Sequence, residues 1–294
     1  MDRQKNERLQ YIFWIFLPIL INFAIQLYIG MVESGYFTLK AISQYDGGGY
    51  EGLLEKVAQL ALSQEANNIT YMSYPIAALL IFIPIYFKKF REDKRPIIKG
   101  ASDYLPATMA GIVLFTIGAQ YACTYIMSAV GTAVPSWLQE YEELIETAGI
   151  GNDMSIIMGV YAVVLAPILE ELTFRGITMK AASKVMPAYA AIIVQALLFG
   201  AYHMNPLQGI YAFALGAGLG YVMYRYDNLL ITICIHMLFN MIGSFGVDFL
   251  PMGGDTLLSF FMWTLGSLII TYLGILLLSK GAPRVNISKE SADI

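Results

Sequence analysis

Ionisable side chains stand inside or at the end of long apolar stretches of this 294-residue chain. They are Glu170, Glu171, Arg175, His203 and His236. Asn240 follows His236 at four residues, so the two side chains lie on one face of a helix. Ionisable groups in apolar surroundings are rare, and they serve acid–base catalysis, proton relays or metal binding. The sequence therefore predicts a functional site built from these residues.

Helix geometry separates the roles of the two adjacent glutamates. Glu171 and Arg175 are four residues apart with the acid first, which is the favourable order for an ion pair. Glu170 is rotated by about 100° from Glu171 around the helix and has no helix-local partner. Glu171 and Arg175 are therefore predicted to support the site, and Glu170 is the carboxylate left for chemistry.

The elements that must position these residues are membrane-spanning helices. Of all residues, 57% are hydrophobic and 14% are charged, whereas about a quarter are charged in soluble domains. Apolar segments of the length that a spanning helix needs recur along the chain. Their approximate bounds are 11–32, 72–87, 106–129, 154–174, 187–204, 208–224, 229–247 and 257–279. We predict an all-α fold, a polytopic transmembrane helix bundle with about eight spans.

Lysine and arginine residues predict how the chain crosses the membrane. Basic residues cluster at both ends of the chain and in three loops, whereas the loop at 140–146 is acidic. Basic loops stay in the cytoplasm, and eight is an even number, so both termini are predicted to be cytoplasmic. The short loops and the lack of a targeting peptide are typical of a multi-pass protein of a prokaryotic plasma membrane.

Counting residues from the turns places the site in the cytoplasmic half of the membrane. With a turn near Pro187, Glu170 and His203 each lie roughly 25 Å from it on antiparallel helices, at the same level. Counted with the same helical rise per residue, from the loop at 225–228, His236 lies roughly 12 Å into the membrane from the cytoplasmic side. Asn205-Pro206 would then break the chain within the membrane, where irregular backbone lines a cavity or is buried in protein.

The chain is predicted to be one integral membrane domain over 1–294. It divides into N-terminal spans with an outer loop (1–150), a core that holds the candidate site (150–247), and a last span with a cytoplasmic tail (257–294). The outer loop at 33–71 is expected to contain an amphipathic helix. The net charge of −4 offers no basic face, so the expected partner is the lipid bilayer and not a nucleic acid.

Three motifs, in chain order, resemble those of one protease family. They are Glu-Glu-x-x-x-Arg at 170–175, Phe-x-x-x-His at 199–203 and His-x-x-x-Asn at 236–240. In this order on transmembrane helices, they are similar to the CPBP family of intramembrane proteases, also called the Abi or CAAX prenyl protease 2 family. The resemblance covers roughly 150–245. The N-terminal half is similar only in being membrane-spanning.

The resemblance implies glutamate-dependent hydrolysis of peptide bonds. By it, Glu170 is the general base that activates water with help from His203. His236 and Asn240 stabilise the oxyanion, and Glu171 with its arginine partner holds the site in shape. An imidazole and an amide are suitable donors to an oxyanion in a low-dielectric site. The expected activity is that of a membrane endopeptidase.

Two versions of this chemistry stay open at the level of sequence. In one, Glu170, His203 and His236 hold a divalent metal such as zinc and leave one position for water, which would make the protein a metalloendopeptidase. In the other no metal takes part. Asn240 is a poor zinc ligand and a good hydrogen-bond donor, which favours the metal-free version.

Functions other than hydrolysis are compatible with the same residues. A catalytically silent relative could act as a scaffold or as a bacteriocin self-immunity protein, a role associated with some members of the family. Glutamate and histidine in spans also build the relays of proton-coupled transporters, although no inverted repeat is visible here. For a protease, the expected substrate is a peptide or a membrane protein. Eukaryotic members cleave prenylated CAAX proteins, whereas the prokaryotic character of this chain favours peptide precursors, signal peptides or small membrane proteins.

Overall fold

A computed structural model describes residues 2–91, 105–150, 154–245, 253 and 256–281. Within these ranges the chain is helical, with short turns between the helices and no strand. The helices are α1 Asp2–Ser43, α2 Gly49–Ala61, α3 Gln64–Phe90, α4 Leu105–Ala133, α5 Pro135–Thr147, α6 Ile156–Ala182, α7 Ala188–Tyr202, α8 Pro206–Tyr226, α9 Leu229–Phe245 and α10 Leu257–Gly281.

The long apolar helices confirm the predicted all-α membrane bundle. In the described part of the chain, 5 helices are long and apolar enough to cross a membrane, namely α1, α3, α4, α6 and α10. Helices α7 and α9 are apolar but shorter, with 15 and 17 residues. Each predicted span overlaps a helix in the described ranges, and the number of helices that cross the membrane completely stays a prediction.

The outer loop predicted at 33–71 is largely helical, which corrects the sequence interpretation. Helix α1 continues to Ser43, the expected amphipathic helix is α2, and α3 begins before the loop was expected to end. The predicted first span ended just before Glu33. In the structure, the Glu33 carboxylate accepts hydrogen bonds from the hydroxyls of Thr70 (2.6 Å) and Ser73 (3.0 Å) of α3. Because this carboxylate is paired, the helix continues through it.

Glycines bring two pairs of helices into close contact. A Cβ atom on Gly274 of α10 would collide with the backbone nitrogen of Phe115 in α4. A Cβ atom on Gly200 of α7 would lie 2.5 Å from the carbonyl oxygen of Gly209 in α8. Backbones approach this closely only where no side chain intervenes. The α7–α8 hairpin is thereby held tightly together next to His203.

Helix α6 carries the adjacent glutamates and contains two π-helical segments. They are Tyr161–Leu165 and Leu172–Met179, with α-helical turns before, between and after them. The helix runs past Arg175 and ends before Pro187, as predicted. Every residue of the second π segment is buried, so this part of α6 lies in the interior of the bundle. Such segments change the register of a helix and are frequent at functional sites.

Candidate active site

A buried ion pair lies within α6. Arg175 Nη1 is 2.8 Å from Glu171 Oε1, four residues earlier in the chain, and both side chains are fully buried. Charges out of water are tolerated when they are paired and hydrogen-bonded. The structure thus contains the ion pair expected from the spacing. Removing Glu171 would leave the buried charge of Arg175 without its ion-pair partner.

His236 of α9 lies between the two adjacent glutamates of α6. Its Nδ1 is 2.8 Å from Glu171 Oε1, and its Nε2 is 3.6 Å from Glu170 Oε2. A carboxylate accepts hydrogen bonds, so Nδ1 carries a hydrogen and donates it to Glu171. The imidazole is therefore oriented with Nε2 toward Glu170. When Nε2 is protonated too, the positive charges of His236 and Arg175 balance the negative charges of the two glutamates.

Glu170 differs from Glu171 in exposure and in neighbours. Its side chain is 16% exposed, whereas that of Glu171 is 0% exposed. The Glu170 carboxylate interacts electrostatically with tyrosine hydroxyls from four helices, those of Tyr74, Tyr161, Tyr202 and Tyr211. Glu170 is thus the more accessible carboxylate and has polar surroundings, while Glu171 is enclosed and committed to its ion pair.

His203 lies where α7 ends, and its ring is fixed by that helix end. Its backbone N–H donates to the carbonyl of Gly200 at 3.3 Å, which leaves the Phe199 carbonyl among the last acceptors of the helix. The Nδ1 atom of His203 bonds this carbonyl at 2.8 Å. Because a carbonyl oxygen only accepts, Nδ1 carries the hydrogen, and Nε2 of the neutral ring holds a lone pair. His203 therefore presents a basic nitrogen.

The helical structure is interrupted directly after His203, where the Asn205-Pro206 pair predicted an interruption. Met204 has a positive φ of 56°, which is uncommon outside glycine. Asn205 Oδ1 accepts a hydrogen bond from the Gln208 backbone N–H at 2.9 Å and caps α8, with Pro206 in the first turn. The expected irregular backbone is thus present next to one of the two histidines.

Phe199 joins the two histidines and the buried arginine. The centroid of its ring lies 4.9 Å from that of His203 and 5.8 Å from that of His236. The guanidinium carbon of Arg175 lies 4.5 Å from the same centroid, where the ring face attracts a cation. Phe199 is 1% exposed. Among the described contacts, His203 joins the group through this phenylalanine.

Asn240 binds the backbone of α6. Its Nδ2 atom donates to the Ala162 carbonyl at 2.8 Å. That carbonyl has no donor in its own helix, because the Ala166 N–H donates to Tyr161 and the next residue, Pro167, has no N–H. The first π segment and the proline together expose this acceptor to α9. Sequence spacing places Asn240 on the face of His236 but could not reveal this partner.

A family model matches the part of the chain that contains these residues. Residues 152–242 match the family model described as type II CAAX prenyl endopeptidase Rce1-like. The match supports membership of the CPBP family for this part of the chain, called the CPBP segment below. No curated protein and no solved structure matches the chain. The CPBP segment contains all six candidate residues, and it indicates an intramembrane CAAX protease type of activity in general, in a multi-pass membrane protein.

The candidate metal ligands of the CPBP segment are not gathered into a metal-binding group. Across the described ranges, no three histidine, cysteine, aspartate or glutamate side chains are placed to hold a metal ion. Glu170 and His236 approach each other, whereas the described side-chain contacts of His203 are with Phe199 and Tyr202. As arranged here, Glu170, His203 and His236 do not fit a metal ion.

Uncharged polar residues outside the CPBP segment reach its candidate site. Asn22 and Gln26 of α1 and Tyr74 of α3 form hydrogen bonds with Thr173 and Tyr202. Sequence inspection for ionisable residues missed them, because none carries a charge at neutral pH. The available signal was an amide in the middle of the apolar first span, since polar groups at that depth need partners.

Proposed function

We propose that the protein is an intramembrane endopeptidase that hydrolyses peptide bonds of membrane-associated peptides or proteins. The observation that carries this proposal is the position of His236, held by the enclosed Glu171 and turned toward the more accessible Glu170. A histidine fixed by one carboxylate beside a second, reachable carboxylate is a suitable pair for hydrolytic acid–base chemistry.

In the proposed reaction Glu170 is the general base. It removes a proton from a water molecule as the water oxygen attacks the carbonyl carbon of the scissile bond. The Nε2 lone pair of His203 accepts a hydrogen bond from the same water and orients it. Glu170 then passes the proton to the leaving nitrogen, and the C–N bond breaks to give a carboxyl group and an amine.

Two donors stabilise the tetrahedral intermediate in this proposal. Protonated His236 donates from Nε2, and Asn240 donates from the second hydrogen on Nδ2, because the first is engaged by Ala162. Both side chains are fixed by bonds to α6 before substrate arrives. Fixed donors need no reorganisation during the reaction, which is the main source of their effect.

Glu171, Arg175 and Phe199 support these groups without touching substrate. Glu171 holds the His236 ring, Arg175 neutralises Glu171, and the ring of Phe199 packs against both imidazoles. No metal takes part in the steps proposed here. A silent scaffold would not need a histidine fixed in this way beside a reachable carboxylate.

The substrate class is proposed from the family description and the membrane setting. The matched family is named for prenylated CAAX proteins, so a prenylated CAAX peptide is the first substrate to examine. An unprenylated membrane peptide is the second, and comparison of the two shows whether the lipid group is recognised. We place the site in the cytoplasmic half of the membrane, in accord with the basic loops of the chain.

The experiment compares Glu170→Gln with wild type in proteoliposomes that contain either peptide with a fluorescent reporter. We expect cleavage by wild type and a loss of about 100-fold or more in the variant, because a general base contributes that much. Glu65→Gln is the matched control, since Glu65 is a half-exposed carboxylate that pairs with Lys40 far from the site. Cleavage that survives in Glu170→Gln would remove the assignment. Absence of cleavage by wild type would favour the scaffold interpretation.

A further inference from the structure

A chain of hydrogen bonds crosses the bundle beside the candidate site. Gln26 Nε2 bonds the Tyr202 hydroxyl at 2.8 Å, and the hydroxyls of Tyr202 and Tyr74 bond each other. The Tyr74 hydroxyl bonds Asn22 Oδ1 at 3.0 Å, and Asn22 Nδ2 bonds the Thr173 hydroxyl at 3.2 Å. The chain thus links α1, α3, α6 and α7 through uncharged side chains.

The direction of every bond in this chain is determined by its atoms. An amide nitrogen donates, so Gln26 donates to Tyr202. An amide oxygen accepts, so the single hydrogen of the Tyr74 hydroxyl goes to Asn22. Tyr202 must therefore be the donor to Tyr74, and Asn22 donates in turn to Thr173. The donors all point from Gln26 toward Thr173, an arrangement in which each bond polarises and strengthens the next.

Two members of the hydrogen-bonded chain, Thr173 and Tyr202, lie close to candidate catalytic residues in sequence. Thr173 is fully buried and follows Glu170 by three residues, so it lies nearly one turn further along α6. Tyr202 directly precedes His203 at the end of α7, and its ring packs against Phe174 at 5.5 Å. The hydrogen-bonded chain therefore links the end of α7, which carries His203, to α6, which carries Glu170.

Packing alone does not require these polar groups. Asn22 and Tyr74 are 1% and 5% exposed, so their amide and hydroxyl are removed from solvent. Apolar side chains of similar shape could fill the same space without any need for partners. Polar networks in such places fix one arrangement of the surrounding helices, because every group loses free energy when its partner moves away.

We propose that Tyr74 and Tyr202 are positioning residues for the hydrolysis described above, on which this inference rests. Through the hydrogen-bonded chain they fix the end of α7, and with it the ring of His203, relative to Glu170. Asn22 and Gln26 anchor the chain in α1. The N-terminal helices, outside the CPBP segment, thereby contribute to the alignment of the water-activating groups.

The first test removes one hydroxyl at a time with Tyr74→Phe and Tyr202→Phe, which keep the rings. We expect kcat to fall by about 10- to 100-fold, because small misplacements of reacting groups cost this much. KM should stay within about 2-fold of wild type, since ground-state binding is not changed. Tyr226→Phe is the matched control. Its hydroxyl is also buried and bonds the Leu278 carbonyl at 2.6 Å, between α8 and α10.

The second test does not depend on cleavage. The chain has 2 histidines, so 13C-histidine labelling gives a two-signal NMR spectrum that His203→Gln assigns. We expect Tyr202→Phe and Tyr74→Phe to shift the His203 signal, with a smaller change at His236. Tyr226→Phe should leave both signals in place.

The two tests separate failure of this inference from failure of the proposed function. If wild type cleaves neither peptide but the His203 signal shifts as expected, the two tyrosines still position the His203 ring, and it is the proposed function that fails. If the His203 signal is unchanged in both tyrosine variants, the inference is overturned, whatever the cleavage result. An equal loss of kcat in Tyr226→Phe would overturn it as well, because the effect would then not be local.

Discussion

Pro167 determines which group Asn240 binds. A helix normally supplies a donor to each carbonyl, but Pro167 has no N–H and the Ala166 N–H donates to Tyr161. The Ala162 carbonyl is left to Asn240, which bonds it at 2.8 Å. One residue of α6 therefore fixes the position of a proposed oxyanion donor on α9.

This relation can be measured with a double-mutant cycle on Asn240 and Pro167. We expect Asn240→Ala to lower the free energy of unfolding by about 1–3 kcal/mol, because the partly buried Ala162 carbonyl loses its donor. In a Pro167→Ala background the cost should be smaller, since residue 167 then has an N–H that can reach Ala162 by continuing the π pattern. Unfolding in mixed micelles reports both values. An equal cost in the two backgrounds would contradict the assignment of the donor.

Contacts within one helical turn could be predicted from the sequence, and contacts between helices could not. The spacing of Glu171 and Arg175 was sufficient to predict their ion pair, because helix geometry fixes which residues face each other. The bond of Asn240 depends on a π segment that no simple periodicity shows. The bond between Asn22 and Thr173 joins residues 151 apart in sequence, and nothing local indicates it.

At the scale of helices, hydropathy located the apolar segments but not their ends. The first span was predicted to end at 32, because Glu33 follows, yet α1 continues for eleven further residues to Ser43. The hydroxyls of Thr70 and Ser73 satisfy Glu33, and they belong to another helix. A helix boundary set by a charge is therefore uncertain wherever a neighbouring helix can supply hydrogen bonds.

Two glycines of α10 provide a matched test of helix packing. A Cβ atom on Gly274 would meet the α4 backbone, whereas one on Gly266 would meet nothing within 4 Å. We expect Gly274→Ala to destabilise the protein by about 1–3 kcal/mol through overpacking. Gly266→Ala should be neutral or stabilising by up to about 1 kcal/mol, because alanine favours the helix. Unfolding midpoints in detergent would measure both. Similar values for the two variants would contradict the close contact of α4 with α10.

At the scale of the whole molecule, the candidate site draws on more of the chain than the matched segment. All six candidate residues lie within 152–242, but α1 and α3 donate and accept the hydrogen bonds that reach Thr173 and Tyr202. The family motifs predicted the six candidate residues. The contribution of the N-terminal helices became apparent only from their packing against α6 and α7.

The predicted orientation can be tested with two serines that have similar surroundings. Ser43 ends α1 and Ser183 follows α6; both are exposed, and each hydroxyl bonds a backbone carbonyl one turn earlier. In a background that lacks Cys123 and Cys234, an impermeant maleimide should label Ser43→Cys in intact cells. Ser183→Cys should react only after permeabilisation, since basic loops stay in the cytoplasm. The opposite pattern would invert the orientation.

The two π segments of α6 make the direction of the central carboxylates independent of the side-chain pattern at the two ends of the helix. An ordinary α-helix rotates by about 100° per residue, and a π-helical turn rotates by less per residue because it contains more residues. Each π segment therefore changes the direction in which the following side chains point. Glu170 and Glu171 lie between the segments and keep their direction toward α9. The helical periodicity of the residues before Tyr161 is offset around the helix axis from that of the residues after Met179. The lipid-facing pattern at either end of the helix can therefore vary in sequence without turning the carboxylates away from His236.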